Sequence, residues 1–356
     1  MGANALGVGV IGYGYWGPNL VRNFSEAPGS RVVAVCDQRA ERLSLAAARC
    51  PGAKMVTRPA DVFADPAVEA VVIATPISTH FDLALAALKA GKHVLVEKPM
   101  TSSVEQGERL LEAAAKARRV VMVGHTFVHS GAVRKIKEFV DGGRLGKLFY
   151  YDSVRVNLGL FQHDVNVLWD LAVHDLAVLD YLLGGREPRE VTATGAAHLT
   201  PGIEDVAYLT CLFDDGLIAH IHVNWLAPVK IRRTLIGGDR QMIVYDDLEP
   251  DEKIKVYDRG VDRGPTYSQL MNYRSGDAWI PNLDRTEALR TEAVSFVESV
   301  RSGKPAIADG RAGLRVVRIL EAAERDLRRK APRSALNGAP GRTSAKTGAS
   351  RKKVHA

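Results

Sequence analysis

The sequence predicts an α/β protein: an N-terminal doubly wound parallel sheet, then a C-terminal α+β region with an open, mainly antiparallel sheet. Three observations carry that prediction. Over the first 125 residues short β-branched runs alternate with helical stretches, the pattern of a parallel sheet covered on both faces. Beyond residue 125 alternating runs are joined by turn signals, which favours antiparallel hairpins. A length of 356 residues, at about 150 residues per domain, has room for two such units.

The parallel part is read as strands 6–11, 31–36, 69–74, 92–97 and 120–124, with helices 18–27, 39–49, 79–90 and 103–118 between them. Ser102 or Ser103 is placed to cap the last helix, with Glu105 or Glu108 early in it. Crossovers of this kind are right-handed, which leaves an open doubly wound sheet. A helix at 131–141, a long strand at 147–158 and a helix at 166–183 come next. Asp215-Gly216 between two alternating runs of 209–225 marks a hairpin, and Gly237-Gly238-Asp239 between 230–236 and 241–246 suggests a second. Helices at 284–302 and 310–329 follow, the second directed back toward the first domain. The expected division is residues 1–125, 126–330 and a tail, 331–356, rich in Ala, Gly, Ser, Pro and bases without periodicity and expected to be disordered.

Composition narrows the function. Hydrophobic residues are 46% and charged residues 25%, enough apolar material for a sizeable core. The net charge of +7 is located in the tail: seven of the 48 bases lie in 330–356, leaving 41 against 41 acids. A phosphate-tracking basic groove, and hence a nucleic-acid partner, is not expected. Three cysteines without CxxC spacing argue against a disulfide framework or zinc site and for a reducing compartment. No run has the length of a membrane span and no signal peptide is visible, so the reading is cytoplasmic, with no membrane partner.

Gly12-Tyr13-Gly14-Tyr15-Trp16-Gly17 closes the first strand and opens a helix. In a GxGxxG the first glycine makes the turn, the second admits a pyrophosphate and the third lets the helix pack closely, with the phosphates at the helix N-terminus. Tyr15 and Trp16, inside the motif, are counted with its cofactor residues. Asp37 ends the second strand twenty residues after Gly17, where a carboxylate accepts from ribose hydroxyls. This is the signature of a Rossmann domain for NAD. Arg39 and Arg42 weigh the other way, since a guanidinium there suits a 2′-phosphate.

Residues 74–100, ATPISTHFDLALAALKAGKHVLVEKPM, with Glu97-Lys98-Pro99 and Asp170-x-x-x-His174, resemble the Gfo/Idh/MocA oxidoreductases, and the resemblance spans residues 6–329. It implies hydride transfer between a nicotinamide and a sugar, cyclitol or related hydroxyl compound, and a second domain that carries the substrate site and much of a homo-oligomer interface, dimer or tetramer. It further implies that Thr75, Pro76 and His80 line the cofactor cleft, although His80 could equally cap the helix beginning near Thr79.

The residues make chemical sense on their own. Glu97-Lys98-Pro99 ends a strand at the carboxyl edge of the sheet, where such folds bind ligands. Pro99 keeps Lys98 extended, so its ammonium can meet a substrate oxygen while Glu97 bonds a ribose hydroxyl. The helix 166–183 is apolar nearly all round, which makes Asp170 and His174 conspicuous. At a spacing of four they share a helical face. The expectation is that Asp170 orients His174, which acts as general base. Asp175 receives no role. Asn157, Gln162 and Asp164, in a polar loop before that helix, suit sugar hydroxyls, with a plain loop as the alternative. His220, His222 and Asn224 alternate on one strand face. His220 and His222 could in principle share a metal, but no third ligand is near, so a polar or interface face is the expectation and no metal is expected; Trp225 fits an interface or core role on the opposite face.

The resulting expectation is an NAD-dependent dehydrogenase acting on a ring hydroxyl or ketone, with Lys98, His174 and Asp170 as its centre. Within the family the stretches GYGYWGPNLVRNF and NLGLFQHDVN with WDLAVHD look like nucleotide-sugar members, which points to a UDP-N-acetylhexosamine or its uronate in polysaccharide biosynthesis. A free sugar or inositol dehydrogenase, an NAD-dependent glycosidase and a non-catalytic NAD(P)-binding regulator are the alternatives.

Overall fold

The computed structural model describes residues 5–159, 161–262 and 272–330. The expectation of a disordered tail therefore lies outside the described residues. The first sheet contains β1 (Leu6–Ile11), β2 (Ser30–Cys36), β3 (Lys54–Val56), β4 (Ala70–Ile73), β5 (His93–Glu97) and β6 (Val121–Gly124). All pairings are parallel, in the order β3-β2-β1-β4-β5-β6. Such a sheet needs apolar residues on both faces, and every residue of β1 is buried. One face packs on α1 (Gly17–Glu26) and α8 (Ala288–Ser302), where Phe24 meets Phe296 edge-on at 6.0 Å. The other packs on α4 (Ile77–Lys89), α5 (Val104–Ala117) and α9 (Gly310–Lys330). Ser103 is the residue that caps α5, accepting from Gln106 N at 3.2 Å.

In the crossover from β2 to β4, which also holds α2 (Ala40–Arg49), two short elements add to the expected set: β3, and the six-residue helix α3 (Pro59–Ala64). Further along the chain the strands Glu190–Ala196, Ile254–Asp262 and Asn272–Trp279 add to it as well.

The second sheet has eight strands: β7 (Leu148–Val156), β8 (Glu190–Ala196), β9 (Val206–Leu212), β10 (Ile218–Asn224), β11 (Ile231–Gly238), β12 (Met242–Asp246), β13 (Ile254–Asp262) and β14 (Asn272–Trp279). Their order is β14-β13-β12-β11-β7-β10-β9-β8, with only β7 and β10 parallel. The Asp215-Gly216 hairpin forms as expected: Gly216 has φ +87° and Asp215 Oδ1 accepts from Leu217 N at 3.2 Å. The second hairpin turns later than Gly237-Gly238-Asp239. Both glycines belong to β11, and the chain reverses at Asp239-Arg240. The reason is side-chain packing, because a Cβ on Gly237 would lie 2.1 Å from the Tyr150 ring.

The buried face of this sheet rests on α7 (Val173–Leu182) and on α9; α6 (Gly131–Asp141) packs against α7. Contacts of α9 reach both layers: Glu321 accepts from Val104 N of α5 at 2.7 Å, and Asp326 accepts from Ala193 N of β8 at 2.8 Å. Among the described residues, no helix is long and apolar enough to cross a membrane.

Candidate active site

The carboxyl edge of the first sheet faces the helix segment 168–182, and the candidate chemistry collects between them. At the glycine-rich turn, Gly12 has φ +98°, and a Cβ on Gly17 would stand 2.3 Å from Gly12 O. A Cβ on Gly14 would meet nothing nearer than Arg39 Nη2 at 3.9 Å, so the turn is open where a pyrophosphate approaches. Tyr15 is exposed, while Trp16 lies partly buried at the start of α1, close enough to Glu97 to favour that carboxyl's charged form. Asp37 accepts from Tyr13 N at 2.8 Å and from Arg39 N and Nε, each at 3.0 Å. Burial would raise its carboxyl, but the bonds from Arg39 and Tyr13 outweigh this and hold it below the usual range. The carboxylate is therefore a fixed acceptor beside the turn, and the residues fit an adenosine dinucleotide.

Lys98 projects from the end of β5. Its Nζ donates to Asp170 O at 3.0 Å and lies 3.4 Å from Asp170 Oδ1. The Lys98–Pro99 peptide is cis. Glu97 Oε1 is shielded from solvent without a hydrogen-bond partner, and burial pushes its carboxyl up to about 7 against the opposing charge of Lys98. Thr75 and Pro76 follow β4, and the Thr75 hydroxyl pairs with that of Thr79 at 2.7 Å.

His80 neither contacts the cleft nor caps α4. It is buried, with Nδ1 2.8 Å from Pro99 O and Nε2 2.8 Å from Thr75 O; burial keeps the ring neutral, so it donates to one of these carbonyls and packs against the other between two cleft loops.

The Asp170–His174 expectation needs a second correction. No hydrogen bond joins the two. Residues 168–172 form a π turn, whose wider winding breaks the four-residue alignment that an α-helix would give. Asp170 turns instead to Lys98 and to Trp225, whose Nε1 donates to Oδ2 at 3.0 Å. Asn166 opens the turn, its Oδ1 accepting from Leu168 N at 3.2 Å. His174 is partly buried, with Nδ1 enclosed and unpartnered and the ring edge-on to Phe127 at 5.0 Å. Burial, then the charges of Lys98 and Arg155, push it well below its ordinary value, so the imidazole is neutral.

Asn157 is anchored through its backbone N to Asn224 O at 3.0 Å. Gln162 is partly buried, and the exposed Asp164 lies close enough to His80 for its charge to act on that ring. On the outer strand face, His222 stacks on Tyr208 at 4.4 Å and His220 Nδ1 lies 3.1 Å from Thr210 Oγ1.

Four features escape sequence reasoning. Trp225 holds Asp170, although its strand position indicated only core or interface. Arg155 and Asp175 form a buried bidentate pair at 2.7 and 3.2 Å, with Ser153 adding a bond at 2.8 Å. His125 is buried with both ring nitrogens unpartnered, driven down to about 3 by burial and by Lys98. Glu292 is wholly buried on α8. Only Asp175 offered a visible signal, an acid in an apolar helix.

Comparison with known proteins matches this geometry to a family. The profile described as "Oxidoreductase family, NAD-binding Rossmann fold" covers residues 6–125, and the GFO/IDH/MocA C-terminal domain covers 133–244. A UDP-N-acetylglucosamine 3-dehydrogenase of Acidithiobacillus ferrooxidans is 30% identical over 314 residues, covering 87% of this chain and 93% of its own. A scyllo-inositol 2-dehydrogenase (NAD(+)) of Bacillus subtilis is 29% identical over 316 residues, covering 85% and 86%. A solved structure of the A. ferrooxidans enzyme superposes with a TM-score of 0.76 at 27% identity, covering 91% of this chain and 97% of that one. With the glycine-rich turn, Asp37 and the Lys98 cleft in place, this chain belongs to the Gfo/Idh/MocA oxidoreductases and is an NAD-dependent dehydrogenase acting on CH–OH groups.

Proposed function

We propose that the substrate is a nucleotide sugar, a UDP-N-acetylhexosamine or its uronate, oxidised at a ring hydroxyl, with Lys98 and His174 as the catalytic pair. The observation that carries this is the fixed ammonium: Lys98 Nζ, held by Asp170 O at 3.0 Å, beside a neutral, partly exposed His174. NAD supplies the hydride acceptor. Lys98 donates a hydrogen bond to the substrate oxygen and stabilises its developing negative charge. His174 takes the hydroxyl proton as the C–H bond breaks and the carbonyl forms. The growing charge on that oxygen offsets the repulsion Lys98 exerts on the imidazolium. Asp170 is a positioning residue for Lys98, and Trp225 for Asp170. Gly12, Gly14, Tyr15, Trp16, Gly17, Asp37, Thr75, Pro76 and Glu97 line the cofactor side; Asn157, Gln162 and Asp164 face the sugar.

A free cyclitol is the second reading, favoured by the inositol dehydrogenase at nearly the same identity. Single-turnover NADH formation across UDP-N-acetylglucosamine, UDP-N-acetylglucosaminuronate, free N-acetylglucosamine and inositols separates them. Faster turnover of an inositol than of either nucleotide sugar contradicts the proposal.

The assembly is a homodimer or homotetramer in the cytoplasm. Its support is the open face of the second sheet, where Tyr208, Ile218 and Leu235 stand 43%, 47% and 36% exposed. Light scattering at the monomer mass contradicts it.

A further inference from the structure

Behind the Lys98 cleft two acids, one at the end of β5 and one on α8, reach the same short segment, residues 124–126. The Glu97 carboxyl lies against Gly124, where a Cβ would stand 3.0 Å from it. Glu292 Oε2 accepts from Thr126 Oγ1 at 3.1 Å, two residues further along the same segment. Each acid keeps one oxygen, Oε1, buried without a partner. Two unpartnered anionic oxygens in a shielded space repel one another and cost desolvation twice, whereas one proton between them removes one charge and supplies one hydrogen bond. Glu292 is the natural holder. It is 0% exposed, whereas Glu97 is partly exposed and has Lys98 N donating to its Oε2 at 3.3 Å.

We propose that Glu292 is a positioning residue: its carboxyl stays protonated, is anchored by Thr126, and donates to Glu97, so that the pair presents a single negative charge to the cofactor cleft. The groups acting on the pair fit this assignment. Lys98 and Trp16 act on Glu97 and favour its anion, while burial and the charge of Glu97 both drive Glu292 strongly toward its neutral form. The inference rests on the placement of Glu97 against NAD proposed above.

Infrared difference spectroscopy of the cofactor-free protein tests the proton directly. The pH is set about one unit above the value of about 7 that burial gives Glu97. A deuterium-sensitive band of a protonated carboxyl is expected in wild type and Glu97→Gln and is lost in Glu292→Gln. A band that persists in Glu292→Gln, or is missing from wild type, overturns the inference. Fluorescence titration of NAD+ supplies the second readout. Glu292→Gln keeps a donor and should bind within about threefold of wild type, whereas Glu292→Met, similar in volume but without a donor, should weaken binding by about tenfold. Equal loss in both variants indicates a merely structural role and also overturns the inference. Wild-type affinity in Glu97→Gln instead overturns the placement of Glu97 against the cofactor, and the infrared comparison, made without cofactor, tests the proton independently of that placement.

Discussion

At the scale of single residues, position in the sheet does more than identity. Asp37 is an ordinary acid whose use comes from ending β2 beside the glycine turn, locked by Tyr13 N and Arg39. Because a 2′-phosphate would meet this carboxylate, NADH should bind more tightly than NADPH. Asp37→Ala should weaken NADH by about tenfold and narrow that preference, read by fluorescence titration of both cofactors. Tighter NADPH binding by wild type would hand the pocket to Arg39 and Arg42. The turn, Asp37 and Glu97-Lys98-Pro99 were legible because each follows a strand whose carboxyl edge the sequence locates. The Asp170–His174 bond was misread because the spacing of four assumes an α-helix, and a π turn leaves no trace in the apolar pattern of residues 168–172.

At the scale of elements, the site depends on how α7 is clamped to β7. Arg155 and Asp175 are both buried, and the Arg155 guanidinium also lies 4.6 Å from the Phe127 ring centroid, beside His174. Removing one partner strands the other charge. Asp175→Asn should therefore cost about 3–5 kcal/mol in urea unfolding, and the apolar double variant Arg155→Met with Asp175→Leu should cost less than Asp175→Asn. A loss below about 1 kcal/mol in Asp175→Asn would mean that the pair clamps nothing. The longer helices and the hairpin strands were readable from period, caps and turn residues, whereas β8, β13 and β14 were not anticipated. Nor were the three-residue β3 and six-residue α3, which are too short to show a period. Trp225 was placed on its strand face, yet its bond to Asp170 depends on the crossing of β10's end with the π turn, a long-range fact no local pattern encodes.

At the scale of the whole molecule, burial sets the response to acid. His93 Nδ1 accepts from Val120 N at 3.0 Å, which protonation would abolish, and burial lowers this ring to about 4. Burial lowers His129 to about 4 and His125 to about 3, and drives His174 well below its ordinary value. Between about pH 4 and the unfolded value of about 6.5 the His93, His129 and His125 rings are neutral when folded and charged when unfolded, and His174 is shifted in the same direction. Unfolding takes up protons there, so stability falls as pH falls. Glu97, Glu292 and Asp180, raised by burial, act in the opposite direction, but the lowered rings, His80 and His222 included, are six against three. Thermal melts from pH 7 down to about 4.5 should show a steadily falling Tm; a flat or rising Tm would contradict this balance. In the proposed mechanism Lys98 and His174 act on the substrate and not on cofactor binding. Single-turnover absorbance of NADH, with the best substrate of the panel, tests it most directly. Lys98→Met and His174→Asn should each slow turnover by about 10²–10⁴-fold, and Asp170→Asn by less, while NADH affinity stays near wild type. A wild-type single-turnover rate in either Lys98→Met or His174→Asn would contradict the account.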